Sequence, residues 1–267
     1  MGQNFLQDER ALRRIVDAAG ISGDDIALEI GTGTGNLTKY LCQNAKFVYS
    51  VEKDARLCKI AGENLREFEN VKIINDDILR VIASLTAFAR NDVGGRLKII
   101  GNLPYYITTP IIFKLLEYRE YIKDITIMVQ KEVAERIAAK PGGKDYGILS
   151  CSVQFYTKPE ILFNVSKSVF RPQPKVDSSV LRLKILQQPP VSVKDEKLFF
   201  KIIKAAFGKR RKMLRSSLAG IIAKDKLADI LAKSGIDERR RAETLSLAEF
   251  AKILDHSNLR GWDGNVI

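Results

Sequence analysis

IALEIGTGTGN, at residues Ile26–Asn36, joins a short apolar run to a turn that contains three glycines. An apolar run of this length, bounded by glycines, is typical of a buried strand. Glycines in the turn after such a strand let the backbone approach a ligand closely. We therefore predict a strand over Ile26–Ile30, a ligand-binding turn over Gly31–Gly35 and a helix that begins at Asn36.

Strand-like and helix-like segments alternate outward from this unit through the first two-thirds of the chain. Further strands are predicted at Phe47–Glu52, Val71–Asn75, Leu97–Asn102 and Asp124–Gln130, and helices at Asn36–Gln43, Asp54–Phe68, Pro110–Tyr118, Lys131–Ala139 and Tyr146–Phe155. This alternation predicts an α/β fold with a doubly wound, Rossmann-like parallel sheet. Ser178–Leu186 alternates polar and apolar residues, which predicts a final strand at an antiparallel edge.

A change of character follows Gln187-Gln188-Pro189-Pro190, which is typical of a linker. The segments after it are helical in pattern, at Lys194–Phe207, Arg211–Ala223, Asp225–Ser234 and Ser246–Leu254. We therefore predict an α/β domain over residues 1–187 and a small all-α domain over residues 188–267.

The basic character of the chain indicates a polyanionic partner. The formal net charge is +12, and residues 190–267 hold 17 Lys and Arg against 10 Asp and Glu. Proteins with such an excess bind nucleic acids through the phosphate backbone. The candidate RNA contacts form one cluster: Lys209, Arg210, Arg211, Lys212 and Arg215. The alternative is the solvated face of ordinary amphipathic helices.

Several classes of protein are disfavoured by composition. His256 is the only histidine, and three cysteines, Cys42, Cys58 and Cys151, are widely spaced. This pattern argues against a zinc site, a disulfide framework and Ser-His or Cys-His catalysis. No apolar run approaches the roughly 18 residues of a membrane span, and the first residues do not form a secretory signal. We expect a cytoplasmic protein with no metal and no membrane partner.

Two ligands suit the glycine-rich turn. A dinucleotide site requires glycine at the first, third and sixth positions, but the sixth position is Asn36 and the third glycine comes one place early, at Gly35. Glu29, just before the turn, suits a ligand that carries an ammonium or sulfonium group. S-adenosylmethionine carries both, so the pattern favours this methyl donor and leaves a dinucleotide as the alternative.

Acidic residues end the next two predicted strands. Glu52 can accept hydrogen bonds from both hydroxyls of a ribose, and Asp76-Asp77 can accept one from an adenine amine. The alternatives are a solvated strand end for Glu52 and a helix cap for Asp76-Asp77. Because they follow consecutive strands, these carboxylates and Gly31–Gly35 favour a methyl-donor site.

Asn102-Leu103-Pro104-Tyr105 follows the fourth predicted strand. Asn102 donates and accepts hydrogen bonds without charge, Pro104 fixes the turn, and Tyr105 offers a face for stacking. The alternative is a simple turn after a buried strand. The set suits a flat, neutral, amine-bearing group, whose hydrogens the Asn102 oxygen and a carbonyl of Leu103-Pro104 could accept.

In order along the chain, these motifs resemble the rRNA adenine N6,N6-dimethyltransferases, and most closely the bacterial branch that acts on the small subunit. The matching segments cover nearly the whole chain: Gly2–Leu6, Glu29–Gly35, Glu52, Asp77, Asn102–Tyr105, Lys131–Val133, Tyr146–Ser150, Phe170–Ser178, Arg210–Leu218 and Arg241–Ser246. The resemblance implies a class I methyltransferase that dimethylates two adjacent adenosines near the 3′ end of 16S rRNA. It also implies S-adenosylmethionine as cofactor, a small-subunit precursor as partner, and a monomer with a role in subunit biogenesis.

The resemblance implies a role for each matching residue. The cofactor-binding residues are Gln3, Asn4 and Leu6 in a flap, Glu29, Gly31 and Gly33 at the turn, Glu52 at the ribose, Asp77 at the adenine, and Asn102. The catalytic residues are Asn102, Leu103, Pro104 and Tyr105, with Phe170 stacking on the target adenine opposite Tyr105.

Three other functions agree with parts of the sequence. The nearest is the large-subunit rRNA adenine methyltransferase of macrolide resistance. The segments Arg210–Leu218 and Arg241–Ser246 favour the small-subunit enzymes over it. A non-catalytic ribosome-assembly factor is disfavoured by the intact Gly31–Gly35, Glu52 and Asn102–Tyr105 set. A dinucleotide oxidoreductase is disfavoured by Asn36 and by the lack of a histidine for proton transfer.

Overall fold

The computed structural model describes residues 4–84, 96–209 and 212–257. Its strands are β1 (Phe5–Leu6), β2 (Ile26–Ile30), β3 (Phe47–Glu52), β4 (Val71–Asn75), β5 (Leu97–Asn102), β6 (Ile122–Gln130), β7 (Thr157–Val165), β8 (Phe170–Arg171) and β9 (Ser178–Ile185). Its α-helices are α1 (Glu9–Ala19), α2 (Asn36–Cys42), α3 (Ala55–Asn64), α4 (Ile78–Ala83), α5 (Thr108–Glu117), α6 (Lys131–Ala138), α7 (Ile148–Tyr156), α8 (Glu196–Gly208), α9 (Leu214–Ser217), α10 (Lys224–Lys233) and α11 (Leu247–His256).

Seven strands form one sheet in the order β4-β3-β2-β5-β6-β9-β7. The first five of these strands are parallel to their neighbours, and β9 runs antiparallel to β6. Every residue of β2 is buried, as expected of a central strand covered by helices on both faces. The strand order changes direction between β2 and β5, where open α/β sheets place their ligands. The predicted α/β fold class is confirmed.

The predicted strands β2, β3, β4 and β5 have the predicted limits, and β6 begins two residues earlier than predicted, at Ile122. The strand at Ser178 is antiparallel as predicted, but its edge position is wrong, because β7 lies outside it. Strand β7 was not predicted from the sequence, because several of its side chains are exposed and its apolar pattern is therefore weak. Pro159 near its start is typical of an edge strand.

Helix α1 was not predicted, although the sequence carries its end signals. Asp8 caps its first turn by accepting a hydrogen bond from the Ala11 N–H, and Gly20 ends it in the left-handed conformation at φ 56°. Its buried face consists of Leu12, Ile15, Val16 and Ala19. The spacing of these residues is that of an amphipathic helix.

The chain forms two compact units. One, the sheet unit, consists of Met1–Ala134 and Lys158–Ile185, and the other, the helical unit, consists of Glu135–Thr157 and Leu186–Ile267. The second unit therefore takes in α7, which the predicted single boundary at residue 187 does not. Phe155 of α7 belongs to the same apolar cluster as Phe199, and the Tyr156 hydroxyl donates to Glu196.

The predicted helix over Arg211–Ala223 is wrong, because the described part of this segment holds only the short α9 and a 3₁₀ turn at Leu218–Gly220. The first backbone N–H groups of α9 donate hydrogen bonds to a segment that follows α10. The Leu214 N–H donates to the Arg240 carbonyl at 2.8 Å, and the Arg215 N–H to the Glu238 carbonyl at 3.1 Å. The described members of the basic cluster, Lys209, Lys212 and Arg215, thus do not lie along one helix.

Candidate active site

A cleft opens at the carboxyl ends of β2, β3 and β5, and it holds about 750 Å³ of empty space, including the part open to solvent. Its lining residues all belong to the sheet unit: Asn4, Phe5, Leu6, Leu12, Ile15, Gly31, Thr32, Gly33, Thr34, Asn36, Leu37, Glu52, Asn102, Leu103, Pro104, Tyr105 and Met128. The structure therefore brings the predicted glycine turn, Glu52, the predicted flap and the Asn102 segment together in one cleft.

The glycine turn holds Glu52 in a fixed position. Gly31 and Gly33 have positive φ angles of 84° and 57°, which glycine adopts without strain. The Gly33 N–H donates to Glu52 Oε2 at 3.0 Å, and the Asp54 N–H donates to Glu52 Oε1 at 2.9 Å. These two N–H groups orient the Glu52 carboxylate, which lines the cleft.

The N-terminal segment forms one wall of the cleft and is tied down at several points. β1 pairs with β8 in antiparallel register, with Phe5 opposite Arg171 and Leu6 opposite Phe170. The Leu6 carbonyl accepts a hydrogen bond from Asn36 Nδ2 at 3.1 Å. Asn4 and Leu6 thus lie where the flap was predicted, while Gln3 lies outside the described residues.

The Asn102 side chain is hydrogen-bonded through its nitrogen, whereas its oxygen accepts no hydrogen bond from the described residues. Its Nδ2 donates to the Asn4 carbonyl at 3.1 Å, so the flap orients the amide. The N–H of the next residue, Leu103, donates to the Met128 carbonyl at 3.0 Å, which fixes the main chain beyond β5. This arrangement leaves Asn102 Oδ1 as an acceptor for a ligand.

The carbonyls of Leu103 and Pro104 differ in availability. The Pro104 carbonyl accepts from the Ile107 N–H at 3.1 Å and from Thr108 Oγ1 at 3.0 Å. No hydrogen bond from the described residues reaches the Leu103 carbonyl. Of the two carbonyls that the sequence left open, Leu103 is therefore the one free to accept from a ligand.

Tyr105 lines the cleft, and its hydroxyl is hydrogen-bonded to Ser178 Oγ at 2.7 Å. Ser178 is fully buried at the start of β9. Burial raises the pKa of the Tyr105 hydroxyl above its usual value, so this group stays neutral at physiological pH. The hydrogen bond anchors the hydroxyl end of the Tyr105 side chain.

Three predicted site residues do not line the cleft. Glu29 and Phe170 have no exposed surface, and Asp77 lies beside the cleft at the end of β4. Asp77 caps α4 by accepting from the Leu79 N–H at 3.0 Å, and it forms an ion pair with Lys53 at 2.8 Å. The hydrogen bond from Lys53 is the main reason that the pKa of Asp77 lies below its usual value.

Glu29 lies beneath the glycine turn. Its Oε2 accepts from Thr38 Oγ1 at 2.6 Å and from Ser50 Oγ at 2.5 Å, and the Ser50 oxygen is in turn 2.6 Å from Thr32 Oγ1 in the turn. Its Oε1 is buried without a hydrogen-bond partner among the described residues. Burial raises the pKa of Glu29 to about 7.

Phe170 packs in the apolar cluster beneath the flap, together with Leu6 and Leu12. In this conformation Tyr105 is the predicted stacking residue that faces the cleft. The cleft also includes residues that sequence reasoning missed, Leu12 and Ile15 of α1 and Met128 of β6. The cap signal at Asp8 could have revealed α1, but nothing in the sequence placed this helix against the turn.

The basic cluster lies in the second unit, and its described members Lys209, Lys212 and Arg215 are exposed. Arg215 forms an ion pair with Glu238 at 3.3 Å. Arg210 and Arg211 lie outside the described residues. Within the described ranges, no helix is long and apolar enough to cross a membrane, and no group of His, Cys, Asp and Glu is arranged to hold a metal ion.

Comparisons with known proteins give consistent results over nearly the whole chain. The family model described as ribosomal RNA adenine dimethylase matches residues 1–258. The chain is 48% identical over 259 residues to ribosomal RNA small subunit methyltransferase A of Geobacillus thermodenitrificans, covering 95% of this chain and 88% of the relative. It is 49% identical over 253 residues to the protein of the same name from Caldanaerobacter subterraneus, covering 94% of each chain.

Solved structures agree at lower identity. A dimethyladenosine transferase from Plasmodium falciparum superposes with a TM-score of 0.80 at 27% identity, covering 95% of this chain and 97% of that one. The 23S rRNA methyltransferase ErmE superposes with a TM-score of 0.72 at 25% identity, covering 96% and 100%. The proteins named for the small subunit are thus the more similar in sequence.

Proposed function

The chain belongs to the ribosomal RNA adenine dimethylase family, and we propose that it dimethylates two adjacent adenosines near the 3′ end of 16S rRNA. It is an S-adenosylmethionine-dependent rRNA adenine dimethyltransferase. The observation that carries the assignment of the site is the single cleft shared by the glycine turn, Glu52 and Asn102–Tyr105. A methyl-donor site and an amine-binding segment are adjacent there.

The residues of the cleft fit the cofactor. S-adenosylmethionine, when bound, supplies an electrophilic methyl group on a positively charged sulfur. Glu52, held by two backbone N–H groups, would accept from the ribose hydroxyls. Gly31 and Gly33 present bare backbone to the cleft, so no side chain fills the space that the methionine part requires.

The target amine is a poor nucleophile, because its lone pair is delocalised into the adenine ring. Asn102 Oδ1 and the Leu103 carbonyl would accept its two hydrogens and bias the nitrogen towards a tetrahedral geometry. Rate would then come from positioning and from fixed dipoles in a site shielded from water. No strong base is required, since the amine becomes acidic only after it is methylated.

Stacking on Tyr105 would hold a base flipped out of its helix. Such stacking is worth about 1–3 kcal/mol per base. The Ser178 hydrogen bond supports this role by anchoring the far end of the Tyr105 side chain. Phe170 would form the second face of the sandwich only after the flap strand β1 moves away from it, because Phe170 is fully buried here.

The helical unit would bind rRNA through its basic cluster. Lys209 and Lys212 are exposed near the turn after α8, and the positive charge of the chain is densest in this part of the sequence. Backbone contacts of this kind recognise RNA by shape more than by sequence. We further propose that the protein acts as a monomer in the cytoplasm on a precursor of the small subunit.

The 16S assignment is favoured over the 23S alternative by sequence similarity. The relatives at 48% and 49% identity are named for the small subunit, whereas the 23S enzyme ErmE is 25% identical. The segments Arg210–Leu218 and Arg241–Ser246, on which the resemblance to the small-subunit branch rests, belong to the helical unit.

Asn102→Ala tests the site. We expect methyl transfer to small-subunit RNA to fall by at least about a hundredfold, the usual cost of removing one group that stabilises the transition state. RNA binding, measured by filter retention, should stay close to that of the wild type. Tritiated methyl incorporation gives the rate, and calorimetry with S-adenosylhomocysteine shows whether cofactor binding persists.

Asn44→Ala is the matched control. Asn44 is exposed, and its Nδ2 also donates to a main-chain carbonyl, that of Tyr40, at 2.8 Å. It does not line the cleft, so this variant should keep full activity. Full activity of Asn102→Ala would overturn the assignment of Asn102 to the target amine.

A further inference from the structure

A second groove lies in the sheet unit, between the first turns of α1 and the end of β7. It is lined by Asp8, Arg10, Ala11, Arg14, Phe163, Asn164, Val165, Ser166 and Val169. We call it the α1 groove. None of its residues lines the cleft described above.

Two arginines give the α1 groove its charge. Arg10 and Arg14 are exposed and lie one turn apart on α1, so their like charges repel each other. Neither forms an ion pair with another described residue. Asp8 is the one carboxylate among the lining residues, and its Oδ1 is engaged in capping α1. An anion in the groove would relieve the repulsion.

Arg14 is held in a defined orientation. Its guanidinium lies 3.9 Å from the centroid of the Phe163 ring. Stacking of this kind covers one face of the guanidinium and leaves its N–H edge open. A planar N–H edge matches the oxygens of a phosphate group and can donate two hydrogen bonds to them.

The α1 groove is joined to the active-site flap by hydrogen bonds. The Gln7 N–H, between the flap and α1, donates to the carbonyl of the groove residue Val169 at 3.3 Å. Directly after Val169, β8 pairs with the flap strand β1. The flap in turn bonds to Asn102 through the Asn4 carbonyl.

We propose that the α1 groove binds phosphate groups of the rRNA strand that carries the target adenosine. Phosphate contacts fix the position of a nucleic acid without reading its sequence, and here they would hold the strand next to the flap and the Asn102 segment. The exposed cations Lys167 and Arg171 flank the groove residues Ser166 and Val169 in sequence and extend the positive surface. This inference rests on the proposed action on rRNA.

The test compares two arginines that lie side by side on α1. Arg14 stacks on Phe163 in the groove, whereas Arg13 lies 4.9 Å from the Tyr40 ring centroid on the other flank of the helix. Arg14→Gln and Arg13→Gln each remove one exposed charge and one cation–π contact. The affinity of each variant for an rRNA fragment that contains the 3′ end of 16S rRNA is measured across a salt titration.

We expect Arg14→Gln to weaken RNA binding about tenfold at low salt, as for the loss of one charged hydrogen bond. The slope of log affinity against log salt should become shallower by about 0.7 per lost phosphate contact to a single strand. Arg10→Gln combined with Arg14→Gln should double the change in slope. Arg13→Gln should leave affinity and slope at the wild-type values.

Calorimetry with S-adenosylhomocysteine provides the check on folding, because the cofactor site does not include Arg14. If all variants bind the RNA with the same affinity and the same slope as the wild type, the phosphate role of the α1 groove is wrong. That result leaves the proposed function standing, since wild-type methyl transfer to 16S rRNA is measured in the same samples. If the wild-type protein itself does not transfer methyl groups to 16S rRNA, the proposed function is wrong instead.

Discussion

Glu29 lies beneath the glycine turn, with its Oε2 bonded to Thr38 and Ser50 and its Oε1 without a partner among the described residues. The sequence suggested that this carboxyl meets the positive charge of the cofactor. The structure instead links it to the turn through Ser50 and Thr32. Its effect on the cofactor would therefore be indirect, through the shape of the turn.

The pKa of Glu29 leads to a prediction about stability. Burial raises this pKa from 4.5 to about 7, so between these values the folded protein binds more protons than the unfolded chain. The contribution of Glu29 to the free energy of unfolding is therefore fully present below about pH 4.5 and is lost as the pH rises through 7. The loss is on the order of 3 kcal/mol in the free energy of unfolding.

We expect Glu29→Gln to remove this part of the pH dependence between pH 5 and pH 8. The Gln oxygen can still accept from both hydroxyls. Urea unfolding at several pH values measures the effect, with Glu63→Gln on an exposed face of α3 as control. A constant difference between the wild type and Glu29→Gln across this range would contradict a buried carboxyl that titrates near 7.

At the scale of residues, the sequence predicted some of the side chains that share the cleft and misplaced others. Glu52 and Asn102 were expected to lie together because they end strands, and strand ends meet at one edge of a parallel sheet; both line the cleft. The positions of Glu29 and Phe170 could not be found in this way, because the direction of a side chain depends on which elements cover it. Both are covered completely.

At the scale of elements, the flap with its strand β1 contacts both the glycine turn and Asn102. It pairs with β8, and Phe5 packs directly on the glycine turn: a Cβ built on Gly33 would lie 3.2 Å from the Phe5 ring. A side chain at residue 33 would therefore press on the Phe5 ring of the flap.

Gly33→Ala should displace the flap and weaken cofactor binding. The left-handed backbone at φ 57° costs a non-glycine residue about 1–2 kcal/mol, and the new methyl group presses on Phe5. We expect the affinity for S-adenosylhomocysteine, measured by calorimetry, to fall about tenfold. Gly23→Ala is the control, because a Cβ there meets nothing within 4 Å.

The variant that combines Gly33→Ala with Phe5→Ala separates strain in the turn from the clash with the flap. Removal of the ring should recover part of the affinity lost in Gly33→Ala, so the two effects should not add. If the effects are strictly additive, or if Gly33→Ala binds the cofactor as the wild type does, Phe5 does not rest on the turn as described.

The strands of the parallel part of the sheet were predicted well. Strands β2, β3 and β5 are buried along nearly their whole length, and they were placed with the correct limits, as was the partly exposed edge strand β4. The short strands β1 and β8 could not be found, because each is defined only by pairing with a distant segment. The segment predicted as a helix at Arg211–Ala223 likewise depends on a distant segment, since the Leu214 and Arg215 N–H groups donate to the carbonyls of Arg240 and Glu238.

At the scale of the whole molecule, the candidate functional sites are distributed over the two units. The cleft and the α1 groove belong to the sheet unit, and the basic cluster of Lys209, Lys212 and Arg215 belongs to the helical unit. Composition alone indicated the polyanionic partner and the basic C-terminal part. It could not indicate the α1 groove, because Arg10 and Arg14 become a site only when α1 packs beside β7.

The central claim is that this enzyme dimethylates two adjacent adenosines in 16S rRNA. The most direct measurement incubates the protein and S-adenosylmethionine with small subunits that lack the modification, and with 23S rRNA in parallel, and maps the products by mass spectrometry. We predict two neighbouring N6,N6-dimethyladenosines near the 3′ end of 16S rRNA and none in 23S rRNA. Methyl groups on an adenine of 23S rRNA, with the small subunit left unmodified, would contradict the account.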